Sequence, residues 1–273
     1  MSLARTEDVA RSDILSLEHD ETIGILTLNR PQQRNALSEE LLDALGATLA
    51  DLAARQDLAV LVIRGAPPAF CAGHDLREMQ AARAAPDGGR AAFERLFDKC
   101  SAVMQAIVDF RCPVIAAVDG IAAAAGCQLV ATCDLAVAGA KARFAVNGIN
   151  VGLFCSTPMV ALSRNLGRKQ TMELLLTGDM MDAEAAQRAG LVNRVVPDGQ
   201  AFDSAMELAR RIAAKSPLVV KTGKAAFYRQ LEMPLGEAYA YTGQVMVDNM
   251  LYRDTDEGIG AFIDKRKPEW RGE

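Results

Sequence analysis

Residues 121–134 read IAAAAGCQLVATCD. Five small residues in succession, Ala122 to Gly126, let another segment of backbone or a ligand approach closer than larger side chains allow. An apolar strand pattern lies before the run at residues 113–118 (PVIAAV), and a helical pattern follows at 126–133. A strand that turns tightly into a helix leaves the first helical N–H groups without intrahelical acceptors. The N–H of Ala125 stands at that helix start, and Gln128 is an amide in otherwise apolar company. The stretch therefore demands close packing, and it offers an unpaired donor.

The same design occurs earlier. In residues 69–79 (AFCAGHDLREM), Ala72 and Gly73 follow a strand pattern, and Asp75 is placed to cap a helix, with Glu78 three residues on. The N–H of His74 then lies at a second helix start, where negative charge is favoured. Two such N–H groups aimed at one carbonyl oxygen stabilise an enolate or tetrahedral oxyanion, by about 3–4 kcal/mol for each donor. Taken alone, each loop is better explained as a tightly packed strand–helix turn.

Around these turns, strand and helix signals alternate. Residues 22–28 (TIGILTL), 59–63 (AVLVI), 113–118 and 135–138 read as buried strands. Ser38 caps a helix with Glu39 and Glu40 in its first turn, and Leu41, Leu42, Leu45, Leu49 and Leu52 share one face. Helices are also expected over 91–106, from Thr157-Pro158, over 172–176 closed by Gly178, over 183–189 between Asp182 and Gly190, and over 202–214. The expected fold class is α/β, with a core over residues 1–200 and a helical region over 201–273.

Bulk properties exclude several classes. The 273 residues are 50% hydrophobic and carry a net charge of −5, with no basic stripe, so no nucleic-acid partner is expected. No run approaches the ~18 apolar residues of a membrane span. The N-terminal MSLARTEDVARSD lacks a leader pattern, which gives a cytoplasmic expectation. Six cysteines without a C-x-x-C pair and only two histidines point to reduced buried thiols and to no metal site.

Five segments together resemble the crotonase superfamily, the enoyl-CoA hydratase/isomerase family: LNRPQQRNAL (28–37), AFCAGHDLREM (69–79), DGIAAAAGCQLVATCDLAVAG (119–139), LLLTGDMMDAEAAQRAGLVNRVVP (174–197) and GIGAFIDKRKPEW (258–270). The segment GINVGLFCSTPMVAL (148–162) looks closest to the enoyl-CoA hydratase-domain-containing subgroup. The resemblance implies a crotonase-like spiral of ββα units and a helical C-terminal trimerisation region, giving a homotrimer or a dimer of trimers. It implies a coenzyme A thioester as substrate or ligand and no further cofactor. The His74 and Ala125 N–H groups would form the oxyanion hole. Arg34 matches a basic position near the CoA phosphates. Ala36, Ala72, Gly73, Asp75 and Leu76 match the adenine and pantetheine path, while Phe262 and Lys265 match residues that reach CoA on a neighbouring subunit. Solvated roles stand beside these for Arg34 and Lys265.

The chain departs from the family where the chemistry lies. Hydratases of the family use two glutamates, and here Gln128 and Gly148 occupy those positions. An amide orients water but is no base near neutral pH, and glycine offers no group. Three readings follow: an acyl-CoA enzyme of the family with little or no hydratase activity, a methylmalonyl-CoA-type decarboxylase, suggested by Gly73-His74-Asp75, or a non-catalytic acyl-CoA-binding scaffold. Asp75, Glu78 and Asp98 are the sequence candidates for a substitute acid or base, with capping the bland role for the first two. Asn147 and Asn150 flank the vacant glutamate position, and Cys155 and Ser156 are candidates to line the acyl pocket.

Overall fold

The computed structural model describes residues 6–273. The first five residues of the segment read as leaderless lie outside the described residues. Strands β1 (Thr6–Ser12), β2 (Leu15–Asp20) and β3 (Ile23–Leu28) form an antiparallel meander. Helix α1 (Glu39–Ala53) then crosses to β4 (Val60–Gly65), which pairs parallel to β3. Helices α2 (Leu76–Ala82) and α3 (Arg90–Val108) lead to β5 (Val114–Val118), followed by β6 (Ile121–Ala123) and α4 (Ala125–Thr132). Next come β7 (Leu135–Gly139), β8 (Arg143–Ala145), α5 (Pro158–Asn165), α6 (Arg168–Thr177), β9 (Met181–Asp182), α7 (Ala183–Ala189) and β10 (Arg194–Val196). Helices α8 (Ala201–Ala213), α9 (Pro217–Leu231), α10 (Leu235–Met250) and α11 (Arg253–Ile263) complete the chain.

The large sheet has the order β1-β2-β3-β4-β5-β7-β10, and a small one has the order β6-β8-β9. Successive units repeat one plan. A strand of the large sheet is followed by a short strand of the small sheet and then by a helix, as in β5-β6-α4 and β7-β8-α5. After β4 the short strand shrinks to single bridges, Cys71 to Ala122 and Leu37 to His74, before α2 begins. The two turns singled out in the sequence are thus equivalent points of successive units.

Period-two alternation divides the strands between two cores. Leu26, Leu28, Leu61, Ile63, Val114 and Ala116 face α1, α3 and α4. Ile23, Ile25, Val60, Val62, Ile115 and Val137 face the other way and are covered by Ala205, Met206 and Ala209 of α8. The five leucines of α1 are at most 1% exposed, each contributing about 1.5–3 kcal/mol through burial. Ser38 accepts from the Leu41 N–H as its cap. All six cysteines are buried, and none is in a disulfide.

Asp134, which the sequence marks as a turn residue, ties the C-terminal helices to this core. Its carboxylate accepts from the Val114 N–H at 2.7 Å, from Lys224 Nζ at 2.7 Å and from the Tyr228 hydroxyl at 2.8 Å. Lys224 also donates to the carbonyls of Ile107 and Cys112. Beyond this anchor, α9 to α11 leave large apolar side chains in solvent, among them Leu231, Leu235, Leu251 and Phe262. Among the described residues no helix is long and apolar enough to cross a membrane.

Candidate active site

The two equivalent turns meet at Gly73. Its φ of +95° belongs to the left-handed region that glycine adopts freely. A Cβ there would lie 2.9 Å from Ala124 Cβ, 3.0 Å from the Ala123 carbonyl and 3.3 Å from the Ala125 nitrogen. A Cβ at Gly126 would overlap the Cys71 carbonyl. The small-residue run therefore serves first to bring these backbones together. Ala124 adopts φ 48° and ψ −117°, a conformation that costs a non-glycine residue of order 1–3 kcal/mol and clusters at functional sites. Immediately after it, Ala125 opens α4, with no side-chain cap on the helix. Neither the Ala125 nor the His74 N–H donates to a backbone carbonyl among the described residues.

Both residues line a cavity of about 380 Å³, shared with Ala72, Leu76, Met79 and Phe97 and closed by Val151, Leu153, Phe154 and Pro158. Its polar lining is limited to His74, Asn147, Cys155, Ser156 and Thr157. The His74 ring stands edge-on to Phe97, with centroids 5.6 Å apart. Its Nδ1 and Nε2 are both buried without a hydrogen-bond partner. Burial holds the imidazole below its ordinary pKa, an effect that the nearby Leu37 backbone partly opposes. Burial likewise pushes the Cys155 thiol up, so it remains protonated near neutral pH.

The remaining sequence candidates divide. Gly148 lines the cavity, but a Cβ there would overlap the Leu153 carbonyl and lie 2.8 Å from Cys155 Sγ. The position is closed to any side chain. Gln128 follows Ala125 within α4 and is buried outside the cavity lining, its Oε1 without a partner. Asp75 caps α2 by accepting from the Arg77 N–H and is paired with Arg30 at 3.1 Å, so its carboxylate is committed to structure. Glu78 accepts from the Glu39 N–H at the start of α1. Asp98 is exposed in a shallow groove that shares Phe97 with the cavity. Ala36 is buried, and Arg34 is an exposed turn residue whose carbonyl accepts from the cavity residue Ala72. Phe262 is 85% exposed; it and Lys265 lie outside the cavity lining of the protomer. Among the described residues no cluster of His, Cys, Asp and Glu suits a metal ion.

Sequence reasoning missed Phe97, Leu153 and Phe154 as cavity walls, and Asn35 as the support of the first turn. Asn35 is fully buried at φ 55°. It donates to the carbonyls of Ala66 and Ala69 and accepts from the Arg30 N–H. The available signal was an asparagine at the end of a polar turn that follows a proline, a residue that tolerates the left-handed region.

This fold is that of the enoyl-CoA hydratase/isomerase family, whose description matches residues 18–273; the chain belongs to that family. Within it, the chain stands with the enoyl-CoA hydratase domain-containing subgroup of the crotonase superfamily. It is 48% identical over 248 residues to the human "Enoyl-CoA hydratase domain-containing protein 3, mitochondrial", covering 91% of this chain and 80% of that protein. A crystal structure of an enoyl-CoA hydratase from Mycobacterium smegmatis superposes with a TM-score of 0.91 at 51% identity, covering 95% of this chain and 99% of that one. The human enoyl Coenzyme A hydratase domain-containing protein 3 superposes with a TM-score of 0.89 at 46% identity, covering 94% and 100%. These names correct the cytoplasmic expectation. The human protein and its rat and mouse counterparts are mitochondrial by name, which points away from the cytoplasm. The cytoplasmic expectation rested on the composition of the N-terminal segment alone.

Proposed function

We propose that the cavity holds the acyl end of a coenzyme A thioester, with its carbonyl oxygen between the N–H groups of His74 and Ala125. The apposition of the two turns at Gly73 carries this reading, because it gathers two donors without backbone acceptors at one wall of an apolar cavity. Donors fixed in a water-poor site stabilise the charge that develops on an enolate oxygen. Arg34, beside Ala72 and free of any ion pair among the described residues, is placed to meet the CoA phosphates. Ala36, Ala72 and Leu76 form the path toward it, with Gly73 and Asp75 shaping that path from beneath. Phe262 and Lys265 serve a CoA bound to a neighbouring subunit, and the exposed apolar side chains of residues 201–273 support a trimer or a dimer of trimers.

Hydration by two carboxylates is outside this chemistry. Gln128 supplies at most a hydrogen bond, and Gly148 has no room for a glutamate. An acyl group bearing a free carboxylate, as the decarboxylase reading requires, finds neutral donors but no lysine or arginine in the cavity lining. The reading therefore is an acyl-CoA protein that polarises its ligand into enolate character. Titration calorimetry with butyryl-CoA tests it. Saturable binding that is lost or at least about tenfold weaker in Gly73→Ala supports it. Binding indifferent to Gly73→Ala contradicts it.

A further inference from the structure

We propose that Phe97 is the specificity-determining residue of this site: its ring ends the acyl cavity and limits the length of the alkyl chain that the site accepts. The inference rests on the acyl-CoA reading above. Phe97 stands on α3, which Leu96, Cys100, Val103 and Ile107 anchor in the core. Its ring meets the His74 ring edge-on, at 5.6 Å between centroids. Phe97 lines the cavity of about 380 Å³. It also lines the neighbouring groove of about 500 Å³, whose walls include Asp87, Arg90, Phe93, Glu94 and Asp98. Among the described residues, Phe97 is the one residue common to both linings, so its ring is the partition between the two spaces.

Charge decides which end of the ligand faces this partition. The groove carries the carboxylates of Asp87, Glu94 and Asp98 against the single cation Arg90, which is itself paired with Glu94 at 3.0 Å. Phosphates are repelled from such a surface, so CoA leaves by the other end, past Ala72 and Leu76 toward Arg34. The free end of the acyl chain then points at Phe97. Met79 and Phe97 offer it no hydrogen-bond partner, which favours an alkyl terminus over a hydroxyl or carboxylate. Each methylene buried short of the ring strengthens binding by about fourfold. A chain that has reached the ring buries nothing more by growing longer. Without the ring, the cavity runs on into the groove, where Phe93 continues the apolar surface.

The test is titration calorimetry of the full chain with butyryl-, hexanoyl-, octanoyl-, decanoyl- and lauroyl-CoA. Wild type, Phe97→Ala and Phe97→Trp are compared, two substitutions of opposite size, so that the test does not hang on the folding of either one. Each affinity is taken relative to butyryl-CoA on the same protein, which cancels any general change in binding. Wild-type affinity is expected to rise with chain length and then level off within the series. In Phe97→Ala the rise continues, and the lauroyl-to-butyryl ratio exceeds the wild-type ratio by at least about tenfold. In Phe97→Trp the levelling comes at a shorter chain. A wild type whose affinity climbs without a break through lauroyl-CoA overturns the inference. So does a break at the same chain length in all three proteins. A wild type that binds none of the five thioesters overturns the acyl-CoA reading together with this one.

Discussion

At the residue scale the site depends on a few side chains and on several missing ones. Asn35 holds the first turn through three hydrogen bonds, so Asn35→Ala strands the buried Ala69 carbonyl, the half-buried Ala66 carbonyl and the Arg30 N–H. A loss of about 2–4 kcal/mol in denaturant unfolding is expected. His74 adds a pH dependence. Its pKa is lowered by burial from the ordinary 6.5, so below that value the unfolded chain binds more protons than the folded one. Stability is therefore complete above about pH 6.5 and declines as the pH falls below it. His74→Phe should flatten that component in a series of thermal melts. The unpaired N–H groups of His74 and Ala125 were legible in the sequence, because small residues before a helix start mark them; their oxyanion-hole role belongs to the proposed function. The closure of Gly148 was not legible. It depends on the Leu153 carbonyl and Cys155 Sγ folding back on it, a contact no spacing rule contains.

At the scale of elements, most helices were legible because their ends carry chemistry: Ser38, Asp75 and Asp182 as caps, and Gly178 and Gly190 as left-handed stops. The short strands β6, β8, β9 and β10 were not anticipated. Strands of two or three residues have too little pattern to show a period, and they exist because neighbouring units supply their partners. The junction of α9 with the core makes a clear prediction. Lys224 and Asp134 form an ion pair with side chains only 7% and 14% exposed. Asp134→Ala removes the acceptor for Lys224, Tyr228 and the Val114 N–H, leaving a buried ammonium uncompensated. A destabilisation of about 3–5 kcal/mol is expected in equilibrium unfolding. Fraying of residues 217–231 in hydrogen exchange should accompany it.

At the scale of the whole molecule, the chain has the family's scaffold, and Gly148 stands in its cavity wall against the Leu153 carbonyl. Restoring carboxylates is therefore expected to fail. The double variant Gln128→Glu with Gly148→Glu should melt at a lower temperature than the wild type and show no gain in loss of crotonyl-CoA's enoyl absorbance, since the second glutamate collides with the Leu153 carbonyl. The most direct measurement of the central claim is isotope-edited infrared spectroscopy of butyryl-CoA labelled with ¹³C at the thioester carbonyl. Bound to the wild type, the carbonyl band should move to lower frequency than in water, and in Gly73→Ala the shift should vanish. A bound ligand whose carbonyl band stays at its solution position in the wild type would contradict the paired-donor site.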